Sequence, residues 1–178
     1  MLKHLAPSSL LALVGTIAGS ASSAAAEPAV AITMSPIHLV VPMGEVTVEA
    51  RVAPRVGVAA IVGIGGIRDR STDALIHLYE GGASVRYYVT GSFRGGVQVG
   101  GEALYVHADA SSTTTSVAAA GLGLSPFVGY KWTHRSGFTL DAQGGVTYLT
   151  LRAEDTAGTT ASARQVGAML NLNLGYSF

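Results

Sequence analysis

Histidine is the natural place to look for chemistry in this chain, because it has no cysteine. A disulfide framework, a thiolate metal site, a cysteine nucleophile and a lipidated N-terminal cysteine are therefore all excluded. His38, His77, His107 and His134 are the candidates, His4 lying in an N-terminal segment that reads as removable. His77 and His107 fall on adjacent predicted strands, but two imidazoles without a third ligand on the same face are a weak metal site. His134 sits in a short turn and reads as an exposed residue. Ser35 and His38 are the one Ser/His pair close in sequence, and no carboxylate at suitable spacing completes a hydrolytic constellation. The expectation is a protein that is not an enzyme and carries no metal or cofactor.

Charge is the second source of chemistry. Charged residues make up only 12% of the 178 residues, with 11 Lys+Arg against 11 Asp+Glu, so there is no basic footprint for nucleic acid. The remaining polar groups recur on one side of an alternating pattern: Glu45, Glu49, Arg51, Glu80, Arg86, Gln98, Glu102, Lys131, Asp141, Gln143, Asn171 and Asn173. If that side faces inward, these residues form a polar network filling a narrow lumen. Unpaired charges there would be costly, so they should pair with one another or be hydrated. A tight turn near Arg135 sets Lys131 opposite Thr139 and diagonal to Asp141, which predicts a Lys131–Asp141 ion pair.

The elements that must position these residues are strands. Lys3 and His4 precede an apolar run from Leu10 to Ala18 and small residues ending at Ala26, which reads as a secretory signal peptide over residues 1–26. The rest, 27–178, reads as one domain. It divides into eight segments of period two, near 29–40, 45–53, 56–67, 76–90, 95–108, 120–134, 137–152 and 163–178. The last is the plainest, with Val166, Ala168, Leu170, Leu172, Leu174, Tyr176 and Phe178 alternating with Gln165, Gly167, Met169, Asn171, Asn173, Gly175 and Ser177. A helix cannot sort residues in this way. Pro36 suggests a bulge in the first strand, and Pro126 a break in the ladder of the sixth.

Tight turns at Ala53-Pro54-Arg55, Gly91-Ser92-Phe93 and His134-Arg135-Ser136 alternate with longer polar connections, apart from a short one near Val41 to Gly44. That pattern describes an eight-stranded antiparallel up-and-down barrel. The polar side of the alternation is also rich in glycine, as a narrow lumen requires. The apolar side carries aromatics near the strand ends, Tyr79 and Tyr105 toward the long loops and Tyr87, Tyr130, Trp132, Phe138, Tyr176 and Phe178 toward the short turns. Two membrane-interface girdles would look like this. A turn centred on Ser92 further predicts Tyr79 beside Tyr105 and His77 beside His107.

With its signal peptide, its eight alternating strands and an apolar last strand ending Leu170-Asn171-Leu172-Asn173-Leu174-Gly175-Tyr176-Ser177-Phe178, the chain resembles the small bacterial outer-membrane β-barrels of the OmpA/OmpX-like class. Ser35-Pro36-Ile37 and the short first loop resemble a subset of that class of unassigned function. The resemblance implies a transmembrane barrel of the Gram-negative cell envelope, porin-like in build and contacting outer-membrane lipid as a monomer. It also implies that Leu170, Leu172, Leu174, Tyr176 and Phe178 serve as the signal read by the barrel assembly machinery. One fold hosts many functions. The sequence leaves open a structural or surface-interaction role, a small ion-conducting pore, and a secreted soluble barrel that binds an apolar ligand with the opposite parity inside.

Overall fold

The structure, a computed structural model, describes residues 27–40, 42–68, 75–111, 116–155 and 160–178; the expected signal peptide lies outside them. Eight strands run in sequence: β1 (Val30–Met34), β2 (Met43–Ala53), β3 (Val56–Arg68), β4 (Leu75–Tyr88), β5 (Gly95–Ser111), β6 (Ser116–Thr133), β7 (Phe138–Asp155) and β8 (Thr160–Ser177). Each pairs antiparallel with the next, and β1 pairs with β8 to close the ring. Among the described residues no helix is long and apolar enough to cross a membrane, which says nothing of strands.

Closure rests on a short seam. Ala31 to Met34 pair with Ser177 to Leu174, and Ala29 and Phe178 add backbone bonds below them. The first strand is thus shorter than the expected 29–40. Pro36 has no N–H to give to a ladder, and the chain leaves the sheet at Ser35-Pro36 into a one-turn 3₁₀ helix, His38–Val40. Pro126 acts similarly: β6 stays paired to β5 through Gly101↔Pro126, while pairing to β7 jumps from Leu124↔Tyr148 to Phe127↔Gly145.

Two hairpins differ in register from the sequence expectation, each by two residues. In the β4–β5 hairpin Tyr79 faces His107 and His77 faces Asp109, so neither the Tyr79–Tyr105 nor the His77–His107 pairing forms. The tip lies at Ser92–Gly95, with Gly91 at φ 73° and Gly96 at φ 143°. In the β6–β7 hairpin Gly137, at φ 97°, joins the turn, and Lys131 lies directly opposite Asp141. Only glycine takes these conformations without strain, so each glycine lengthens its turn. An even shift keeps every side chain on its own face.

The faces are inverted relative to a water-soluble barrel. Glu45, Glu49, Arg86, Gln98, Glu102, Lys131, Asp141, Gln143, Asn171 and Asn173 are buried, whereas Val62, Ile64, Val85, Leu122, Leu124, Val128, Val146 and Leu170 lie exposed outside. The buried apolar residues are few, among them Ile61, Tyr88, Phe93 and Phe127.

Candidate functional site: the polar interior

The interior is best followed along rows of paired residues. Glu49 on β2 shares a row with Ala59 on β3 and Ser84 on β4, and one row lower Arg51, Gly57 and Arg86 are paired. Gly57 is buried, and a Cβ there would collide with the Glu49 carboxylate. The missing side chain lets Glu49 lean across β3 toward β4. Its Oε2 accepts from Arg86 Nη1 at 3.2 Å and from Lys131 Nζ at 2.8 Å, and its Oε1 accepts from the Tyr88 hydroxyl at 2.6 Å.

Arg86 also donates to Asp141, and Asp141 accepts from Gln98 at one oxygen and from Gln143 Nε2, 3.0 Å away, at the other. Two cations and two carboxylates therefore interlock in one layer, each multiply hydrogen-bonded. This is the arrangement that makes buried charge tolerable. Lys131 and Asp141 are cross-strand neighbours, yet the lysine turns away from the expected partner toward Glu49 on the far wall. Its ammonium lies 3.2 Å from the Tyr88 hydroxyl and 3.6 Å from the centroid of the Phe93 ring, a cation–π contact. Phe93 comes from the β4–β5 turn and folds inward to close the floor of this layer.

Other expected lumen residues lie outside this layer. Arg51 is only half-buried and pairs with Glu27 near the β2–β3 turn, apart from the central layer. Asn171 accepts from the Ser35 hydroxyl at 3.1 Å, tying the end of β1 to β8. Asn173 is fully buried without a side-chain partner among the described residues. Tyr88, Phe93 and Ser84 belong to the interior and are not among the residues singled out from sequence. Strand parity from Glu80 to Tyr88 would have found the tyrosine, whereas nothing local marks a turn phenylalanine as inward.

A second cluster lies farther from the short turns. Glu45, Gly63 and Glu80 form one row across β2, β3 and β4. The 3₁₀ helix brings His38 over it, with Nδ1 2.9 Å from Glu45 Oε2. The Glu45 carboxylate raises the imidazole pKa above its ordinary value, outweighing partial burial, and the fields of Glu80 and Glu102 act in the same direction. The sequence reading did not bring these residues together, because the break after β1 folds the chain back on itself.

The eight aromatics expected at the membrane interfaces, Tyr79, Tyr105, Tyr87, Tyr130, Trp132, Phe138, Tyr176 and Phe178, are all outward and exposed. Trp132 stacks edge-on against Phe138 at 6.4 Å, and Tyr176 lies 5.0 Å from Phe178. Outside, His107 bonds Asp109 at 3.0 Å and lies 6.5 Å from the Tyr79 ring.

No protein-family model and no curated protein matches the chain. Its fold is similar to the crystal structure of a major outer membrane protein from Thermus thermophilus, with a TM-score of 0.54 and 14% identity over 84% of this chain and 99% of that one. The likeness is one of fold: an antiparallel barrel closed on itself.

Proposed function

We propose that the chain is a non-enzymatic transmembrane β-barrel of the bacterial outer membrane, with a structural or surface-interaction role and its lumen plugged by the Glu49–Arg86–Lys131–Asp141 layer. The observation that carries this reading is the inverted surface: buried ions inside, a belt of exposed Val, Leu, Ile and aromatic side chains outside. A soluble lipocalin-like barrel would bury that set and expose the charges. In lipid the belt is an asset, and the paired ladders, joined into a ring where β1 meets β8 over Leu174 to Ser177, satisfy backbone groups that hydrocarbon cannot. Strands of 17 and 18 residues in β5 to β8 exceed the roughly 9 to 11 that a tilted span needs, leaving room for extensions beyond the bilayer.

The same reading assigns Leu170, Leu172, Leu174, Tyr176 and Phe178 to recognition by the assembly machinery, the girdles to the lipid interfaces, and a place beside the OmpA/OmpX-like barrels as a monomer. The pore alternative is disfavoured by the interlocked layer and by Tyr88 and Phe93 beneath it. The mature protein is expected to fractionate with outer membranes and to migrate differently on gels before and after boiling. Recovery as a soluble periplasmic monomer would end this reading.

A further inference from the structure

Five carboxylates, Glu45, Glu49, Glu80, Glu102 and Asp141, face the interior against two basic side chains of the central layer, Arg86 and Lys131. The layer of Glu49, Asp141, Arg86 and Lys131 is balanced within itself. The imbalance is therefore concentrated in Glu45, Glu80 and Glu102, where His38 is the one basic group of the cluster. We propose that His38, Glu45 and Glu80 bind a divalent transition cation of the Zn²⁺ or Mn²⁺ class inside the barrel.

Three observations converge. The donor atoms of His38, Glu45 and Glu80 all lie within 4.8 Å of one another. Tetrahedral ligand atoms held about 2.1 Å from one metal sit about 3.4 Å apart, so side-chain movements of up to about 1.4 Å close the shell. Glu45 is 2% exposed, and while its Oε2 faces His38, its Oε1 has no hydrogen-bond partner among the described residues. Glu80 Oε1 lacks one too among the described residues. Every carboxylate oxygen of the balanced layer, by contrast, has a donor. Burying an acceptor without a donor is costly, more so when it is charged, and a cation satisfies both at once.

Gly63 supplies the room. It stands between Glu45 and Glu80 in their row, and a Cβ there would fall 2.6 Å from Glu80 Cγ and 2.8 Å from Cδ. Glu80 thus lies across β3 toward Glu45, as Glu49 does over Gly57. An imidazole nitrogen with two carboxylates suits Zn²⁺ or Mn²⁺, whereas Ca²⁺ and Mg²⁺ prefer oxygen throughout. Glu102 adds negative field at His38 and favours any cation that enters.

The test uses the full barrel in detergent micelles, stripped with chelator and titrated calorimetrically with Zn²⁺ and Mn²⁺, with Co²⁺ absorption as a report on ligation. One ion per barrel is expected, with Kd tighter than about 10 µM for Zn²⁺. Glu45→Gln, Glu80→Gln and His38→Gln should each weaken binding at least about tenfold, and Gly63→Ala should do so by displacing Glu80 without changing the identity of any ligand. A His77→Ala/His107→Ala variant should bind as the parent does. Absence of one-to-one binding, or binding that survives both glutamate changes, overturns the proposal. Should a strand variant fail to fold by gel shift, His38→Gln decides, since His38 lies outside the strands: undiminished affinity and an unchanged Co²⁺ spectrum refute the site.

Discussion

Replacing Lys131 by methionine tests the interior most directly. The ammonium is 2.8 Å from Glu49 Oε2 and 3.2 Å from the Tyr88 hydroxyl, with the Phe93 ring centroid at 3.6 Å. At an effective dielectric of about 20 the ion pair alone is worth about 6 kcal/mol of attraction, much of it offset by the desolvation of both groups. Methionine keeps the apolar stem and its contact with Phe93, but leaves one cation for two carboxylates. Glu49 retains Arg86 and Tyr88, so the loss should fall near the lower end of the roughly 3 to 5 kcal/mol typical of a broken buried pair, at about 3 kcal/mol. Glu49→Gln should cost as much or more, since it strips charge from the acceptor of both cations. The double variant should recover at least about 2 kcal/mol of the summed losses. The same cycle on Lys131 and Asp141, neighbours on paired strands without a direct ion pair, should give a coupling below about 1 kcal/mol. Urea unfolding followed through Trp132, the sole tryptophan, supplies all these values. Coupling with Asp141 as large as with Glu49 would refute the assigned pairing. Single losses below about 1 kcal/mol would mean that water fills the lumen, and conductance should then appear.

Leu172→Arg should lower the free energy of folding into vesicles by about 2 to 4 kcal/mol by placing a cation in hydrocarbon, whereas Asn171→Arg enters the acidic interior and should be tolerated better; the reverse order would invert the faces. Gly100→Leu should cost about 1 to 3 kcal/mol, because a Cβ at Gly100 would already fall 2.4 Å from the Val85 carbonyl oxygen and 2.5 Å from Cζ of the inward Phe127 ring, and a neutral result would refute the close packing at this row. Gly96→Ala, at φ 143°, should cost about 1 to 3 kcal/mol in the same unfolding assay, and an unchanged midpoint would remove the reason given for the register of that hairpin.

What could be read from the sequence, and what could not, divides along physical lines. Alternation over Val166 to Phe178 was enough to identify a strand and its two faces, because period two needs no knowledge of neighbours. Hairpin register in β4–β5 and β6–β7 differs by two from the turn-based expectation, since Gly91, Gly96 and Gly137 admit longer tips that their sequences do not distinguish from shorter ones. The facing of each residue survived because the shift is even. Partners across the lumen were not legible: Lys131 finds Glu49 on the opposite wall, a contact that exists only once β1 and β8 have closed the ring. The His38–Glu45–Glu80 cluster was hidden for a related reason. Pro36 signalled an irregularity, but the path of the chain after it depends on the interior into which it folds.

That early end of β1 has a consequence for the strand on its other side. Above Leu174, β8 keeps β7 as a neighbour, and among the described residues no backbone pairs with its other edge. Residues Thr160 to Ala168 are accordingly exposed on both faces. Ala161 lies in one row with Ala153, Ala119 and Ala108, so β6 at the same height has neighbours on both sides while β8 has one. In an antiparallel strand successive amides point to opposite neighbours, so a one-sided strand should protect every second amide only. Hydrogen exchange in micelles should show this alternation over Ala161 to Gln165, with fast and slow amides in turn. Ala118 to Leu122 on β6 should be slow throughout, and so should Leu174 to Ser177, where β1 is present. Uniform protection over Ala161 to Gln165, matching β6, would mean that the upper edge is paired, and that the break at Pro36 does not leave β8 open.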